Sequence, residues 1–212
     1  MRRVPGDLTT STRPPTTIPL RHFLVALAFL VGGGGLALCR VAGLAGAGAG
    51  LGGIAVAHLL LVGWVCLTII GAMTQFVPVW SGVEIHSERL ATLQLGAGAV
   101  GVARTLWRAR PFDTTEAHFA LAVLFLALAA VLGVTLAADY RWGVLAGTGL
   151  SRPAVVDAHV TLAVLGAVVT TVIRAPYQLG PMFTQTDALS VETRAARVET
   201  AAYPVGVGAL AA

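Results

Sequence analysis

Two histidines occupy matching places in two apolar stretches, and imidazole is the side chain there with the most chemistry to offer. The first stretch reads AHLLLVGWVCLTIIGAMTQFVPV from Ala57 to Val79, the second AHVTLAVLGAVVTTVIRAPYQLGPMF from Ala158 to Phe183. With a two-residue gap after the histidine, Ala57, His58, Gly63, Thr68, Ala72, Gln75 and Pro78 align with Ala158, His159, Gly166, Thr171, Ala175, Gln178 and Pro181. Alanine and glycine coincide easily in such a composition; histidine, glutamine and proline do not. A histidine inside an apolar helix is costly and calls for a partner, and neutral imidazole is a standard ligand of haem iron. His58 and His159 are therefore the candidate cofactor-binding and metal-ligating residues. The bland alternative is a hydrogen bond between helices. His118, two residues after the acidic Glu116, reads as interfacial. His22 and His86 lie outside or at the edge of the apolar runs, and no function attaches to them.

The elements that must position these residues follow from composition. Of 212 residues 56% are hydrophobic and 11% charged, against roughly a quarter charged in a soluble domain. A soluble core of this length cannot hide so much apolar surface, so lipid is the solvent and the bilayer the first partner. The expected fold is all-α, a polytopic bundle of transmembrane helices in the cell membrane. Expected spans lie near 22–39, 54–79, 90–107, 117–138 and 154–176, each close to the ~20 residues that a bilayer core demands. Residues 1–20, rich in Arg, Pro and Thr, read as a disordered tail. Residues 184–200 read as a polar loop and 201–212 as the start of a further span. The Gly/Ala-rich stretch from Val41 to Gly53 reads as a surface loop or frayed helix start.

All fourteen basic residues are arginine, and they stand mainly at the ends of apolar runs, as interfacial anchors do. They form no patch, so nucleic acid is not an expected partner. They divide evenly between the two sides of the bundle, and the cluster Arg2, Arg3 and Arg13 places the N-terminus in the cytoplasm. Two G-x-G-x-x-G matches, Gly48/Gly50/Gly53 and Gly96/Gly98/Gly101, lack the strand and βαβ unit of a dinucleotide site. Close helix packing accounts for them better. Cys39 and Cys66 show no metal or redox spacing, and no catalytic residues stand out, which leaves enzymatic activity open.

At HLLLVGWVCLTIIGAMTQFVPVWSG and AHVTLAVLG…YQLGPMF the chain resembles the haem–copper oxidase subunit I superfamily, most closely its short subunit I-like and NnrS-like membrane proteins. The shared pattern is His, Gly-Trp, Thr, a small-residue step, then Gln and Pro, over about fifty residues. The resemblance implies a haem ligand at His58 and places His159 nearest to a copper-ligand position. With five histidines, no His-His pair and no His-Pro-Glu-Val-Tyr-type motif, the chain alone makes no oxygen-reducing centre. Haem is the cofactor implied, copper is not expected, and the implied role is electron transfer or a nitric-oxide response, with fewer helices than the family has. The second and fifth spans are three apart, which puts His58 and His159 near opposite faces of a ~30 Å core. That spacing also suits a small transporter or channel on 3+3 inverted repeats. A non-catalytic assembly subunit working with other membrane subunits is the third alternative.

Overall fold

The computed structural model describes residues 14–44, 51–81, 114–184 and 190–212. Every regular element among them is helical: α1 (Thr17–Val41), α2 (Leu51–His58), a π-helical segment π1 (Leu59–Cys66), α3 (Leu67–Ser81), α4 (Thr114–Trp142), α5 (Arg152–Thr161), a second π-helical segment π2 (Leu162–Val169), α6 (Thr170–Thr184) and α7 (Ser190–Ala211). Four continuous runs are long and apolar enough to cross a bilayer: Thr17–Val41, Leu51–Val79, Glu116–Trp142 and Arg152–Tyr177. At about 1.5 Å per residue each exceeds a ~30 Å hydrocarbon core. Large apolar side chains such as Leu24, Val31, Leu38, Val131 and Val134 stand exposed on these helices. In water they would be a liability; in lipid they are the normal outer surface.

The chain divides into two compact units, one spanning Leu8–Arg108 and the other built on Ala109–Ala212. The first contains an antiparallel hairpin in which α1 runs back along α2, π1 and α3. Its register is fixed by glycines: Arg40 lies over Gly52, Leu59 and Leu60 meet Gly33, Phe29 covers Gly63, and His22 abuts Gly71. The second unit repeats the arrangement, with α4 against α5, π2 and α6 and with Phe125 covering Gly166. In both hairpins the leading helix stops at a glycine in the left-handed region, Gly43 (φ 70°) and Gly143 (φ 63°), the usual way to end a helix without strain. The second turn is further pinned by Asp139, which accepts from the Leu145 amide at 2.9 Å and pairs with Arg152 at 2.5 Å. Ser151 then caps α5 by accepting from the Ala154 amide. α7 completes the second unit, its Tyr203, Val207 and Ala211 packing with Phe125, Ala129 and Leu162.

Four expected spans are present, with ends shifted by a few residues. α1 begins at Thr17, inside the stretch read as a tail, and α2 begins at Leu51, inside the glycine-rich stretch read as a loop or frayed helix start. The span expected near 90–107, like His86, lies outside the described residues. Residues 184–200 are corrected from a polar loop: α6 runs to Thr184 and α7 starts at Ser190. Residues 201–211 are the second half of that 22-residue helix rather than the start of a new one. The misreading has a physical source, since α7 is amphipathic. Ala196 and Val207 are buried while Arg194, Arg197 and Val198 are exposed, so its composition looks loop-like although its face is helical.

Candidate functional site

Four histidines fall among the described residues, and all four hold an oxygen through Nδ1. In α1, His22 Nδ1 lies 2.9 Å from the Ile18 carbonyl. His58, at the end of α2, bonds the Ile54 carbonyl at 2.8 Å in the same manner. His159 reaches across its hairpin to the Ala129 carbonyl of α4, also at 2.8 Å. His118 Nδ1 meets the Thr200 hydroxyl at 3.2 Å. That hydroxyl donates to the Ala196 carbonyl at 2.6 Å, so toward His118 it accepts. A carbonyl only accepts, so each ring carries its proton on Nδ1 and keeps the lone pair on Nε2. This is the tautomer a metal-bound imidazole needs, fixed by the same kind of backbone contact.

The two histidines singled out by sequence belong to different units and are not equivalent. π1 and π2 begin 103 residues apart, as do Gly63 and Gly166 beneath their phenylalanines. In that register His58 corresponds to Thr161, and His159 to Val56. The two-residue gap in the alignment is therefore a rotation of about 200° around the helix at 3.6 residues per turn. Their surroundings differ accordingly. His58 is exposed, among exposed Ile54, Leu61 and Val62. Its level on α1 is Gly34, where an added Cβ would meet nothing within 4 Å. His159 is packed on α4, where a Cβ on Gly133 would come within 3.0 Å of its Cε1. The interhelical hydrogen bond named as the bland alternative is thus the observed state of His159.

The histidines that sequence reasoning set aside are the buried ones. His22 is 1% exposed and His118 2%, so both are covered by neighbouring side chains although each stands within the first two turns of its helix. They too are a repeat, since His22, Phe23, Ala26, Phe29 and Leu30 recur 96 residues later as His118, Phe119, Ala122, Phe125 and Leu126. His22 Nε2 is buried with no hydrogen-bond partner, and so is Gln75 Oε1 in the same unit. Gly71 makes room for His22 in the first hairpin. At the same level of the second stands Arg174, buried, with its guanidinium 4.9 Å from the Tyr177 ring centroid. Both copies of the hairpin therefore carry buried polar side chains near one end, His22 in the first and His118 and Arg174 in the second.

Among the described residues no three of His, Cys, Asp and Glu gather closely enough to hold a metal ion. A haem needs only one or two axial ligands, so it is not judged by that criterion. Cys39 and Cys66 are free thiols. Comparison with family models, curated proteins and solved structures finds no match to this chain.

Proposed function

We propose that this chain is a haem-binding, multi-pass membrane protein with a role in electron transfer or in a response to nitric oxide, and not a complete oxygen reductase. One observation carries the reading. His58 stands on an exposed, apolar helix face with its proton held on Nδ1 by the Ile54 carbonyl. A porphyrin is a flat apolar disc that requires an imidazole Nε2 at its centre and hydrocarbon around it. Ile54, Leu61 and Val62 supply that hydrocarbon one helical turn either side of His58. His22, enclosed on all sides, offers no comparable surface. A bound haem would supply one-electron chemistry, with axial ligation and burial setting its potential. The chain's own part is to orient the ring of His58 and keep water away. His159, whose Nδ1 is spent on Ala129, is the candidate in the second unit.

The test is an optical spectrum and iron determination on the full chain purified in detergent from cells supplied with haem. A Soret band is expected, lost in His58→Ala and retained in His22→Ala. No band in the unsubstituted protein overturns the reading.

A second reading, a small transporter on 3+3 repeats, has its own support. The hairpins repeat within two compact units, and the sequence likeness continues beyond them. Arg89, Ala91, Ala97, Val100, Gly101 and Val102 recur 105 residues later as Arg194, Ala196, Ala202, Val205, Gly206 and Val207. Solute flux in proteoliposomes separates the two readings. Saturable uptake by haem-free protein favours the transporter.

A further inference from the structure

The first unit holds two buried acceptors at facing positions where α1 packs on α3. His22 Nδ1 donates to the Ile18 carbonyl at 2.9 Å, which turns the ring toward the start of α1 and leaves Nε2 with its lone pair. That Nε2 is buried with no hydrogen-bond partner, and so is Gln75 Oε1. The register brings the two together. Phe29 covers Gly63 and His22 abuts Gly71, so one turn further along the antiparallel pair Ile18 comes level with Gln75. Side chains lean toward the N-terminus of their own helix. On antiparallel helices His22 and Gln75 therefore lean toward each other. Thr74, also buried, offers them no hydrogen, because its hydroxyl donates to the Gly71 carbonyl at 2.7 Å. Pro78 has no N–H, so the Thr74 carbonyl lacks its usual donor four residues on.

Two facing acceptors need a hydrogen between them, and burying them unmet is unfavourable. No water-sized space adjoins either atom. A Cβ on Gly71 would come within 2.7 Å of His22 Cβ and 3.1 Å of the Phe23 ring, so a metal ion or a small molecule does not fit. A proton needs no room. The imidazolium has two N–H donors, and the hairpin offers an oxygen to each, the Ile18 carbonyl at Nδ1 and the Gln75 amide at Nε2. The repeat points the same way. Gly71, Gln75 and Pro78 recur 103 residues later as Arg174, Gln178 and Pro181. The second copy thus builds a permanent positive charge, buried, one turn before its glutamine. In the first copy histidine is the residue that can acquire one. The ionisable groups on the described elements packed here are Arg21, Cys39 and Arg40 on α1, His58 on α2 and Cys66 in π1, with none on α3. Arg21 is exposed, and the rest lie further along the hairpin, toward Arg40 and Gly52. None of them is a carboxylate, so neutral oxygens hold the charge.

We propose that His22 and Gln75 form a proton-binding site inside the first hairpin. His22 Nε2 takes a proton from a hydronium ion, releasing water, and donates it in a hydrogen bond to Gln75 Oε1, which fastens α1 to α3. The site involves none of the candidate haem ligands and works with or without haem.

The experiment uses the full chain in detergent, with the histidine ring nitrogens labelled for NMR. Spectra and unfolding midpoints are recorded between about pH 5 and pH 8, where imidazole changes charge. On acidification an Nε2–H signal that His22→Phe lacks should appear. Gln75→Leu should weaken proton binding at His22 by about tenfold or more, as the loss of a hydrogen bond to a charged group does. The stability difference between the unsubstituted chain and Gln75→Leu should therefore widen as pH falls, because the folded chain with Gln75 holds that proton better. Should Gln75→Leu fold poorly, Gln75→Glu, which sets a carboxylate against Nε2, should strengthen proton binding instead. Identical pH profiles in the unsubstituted chain, His22→Phe and the Gln75 variants overturn the proposal. So does a coupling between His22 and Gln75 that is equal at every pH, which would mean that the Gln75 amide has turned to donate its own N–H.

Discussion

Whether an intramembrane histidine serves a cofactor or a neighbouring helix depends on what stands opposite its ring. His159 faces Gly133, and the missing side chain lets the imidazole approach the Ala129 carbonyl. Such an interhelical bond in a membrane is worth about 0.6 kcal/mol on average and up to about 1.7. Gly133→Val should push the ring away and lower the unfolding midpoint in detergent. His159→Ala should do the same, and the double variant should lose less than the sum, because both changes remove one bond. Gly34 of α1 is the contrast: an added Cβ there meets nothing within 4 Å, so Gly34→Val should leave the midpoint unchanged, and a large loss would mean that the helices pack more closely at Gly34 than that space allows. The contrast also locates the chemistry: an imidazole committed to its own helix backbone leaves an apolar face open around it, and one clamped between helices does not.

At the scale of helices, the two π segments explain why the sequence was only partly legible. Glycine at the fifth position of each lets a phenylalanine ring from the leading helix lie almost on the backbone. A Cβ would come within 2.5 Å of the Phe29 ring at Gly63 and within 2.7 Å of the Phe125 ring at Gly166. Gly63→Ala and Gly166→Ala should each destabilise the protein by about 1–3 kcal/mol, the usual result of overpacking. Thermal unfolding checks this, and shortening Phe29 or Phe125 to Leu should restore part of the loss. The Gly, Thr, Gln and Pro matches were readable because they follow the segments' common register. The histidines were misaligned because a two-residue gap looks harmless in sequence, although on a helix it turns a side chain by about 200°. The buried repeat at His22 and His118 was written plainly in HFLVALAFL and HFALAVLFL. It was passed over because nearby charges suggested an edge, and burial depends on which residues the opposite helix brings level, which neighbours in sequence do not reveal. α7 was missed because alternating arginines and small residues read as a loop until their spacing is placed on a helix.

For the molecule as a whole, lipid as solvent follows from apolar surface, but orientation does not follow from charge, since arginines stand at both ends of the described helices, among them Arg21 and Arg40 on α1. The free cysteines give a direct measurement. Cys39 is exposed in the last turn of α1 beside Arg40, whereas Cys66 closes π1 midway along its span and is partly covered. A membrane-impermeant maleimide should therefore react with Cys39 from one side only and leave Cys66 untouched in the intact bilayer. With the N-terminus in the cytoplasm, as the cluster Arg2, Arg3 and Arg13 suggests under the positive-inside rule, α1 ends on the far side. Cys39 should then label in intact cells, and Cys39→Ser should abolish the signal while Cys66→Ser leaves it unchanged. Labelling only after the membrane is opened would reverse the orientation and with it the side from which His58, seven residues into its span, is reached. That side determines which redox partner a haem at His58 could meet, a cytoplasmic donor or one beyond the membrane.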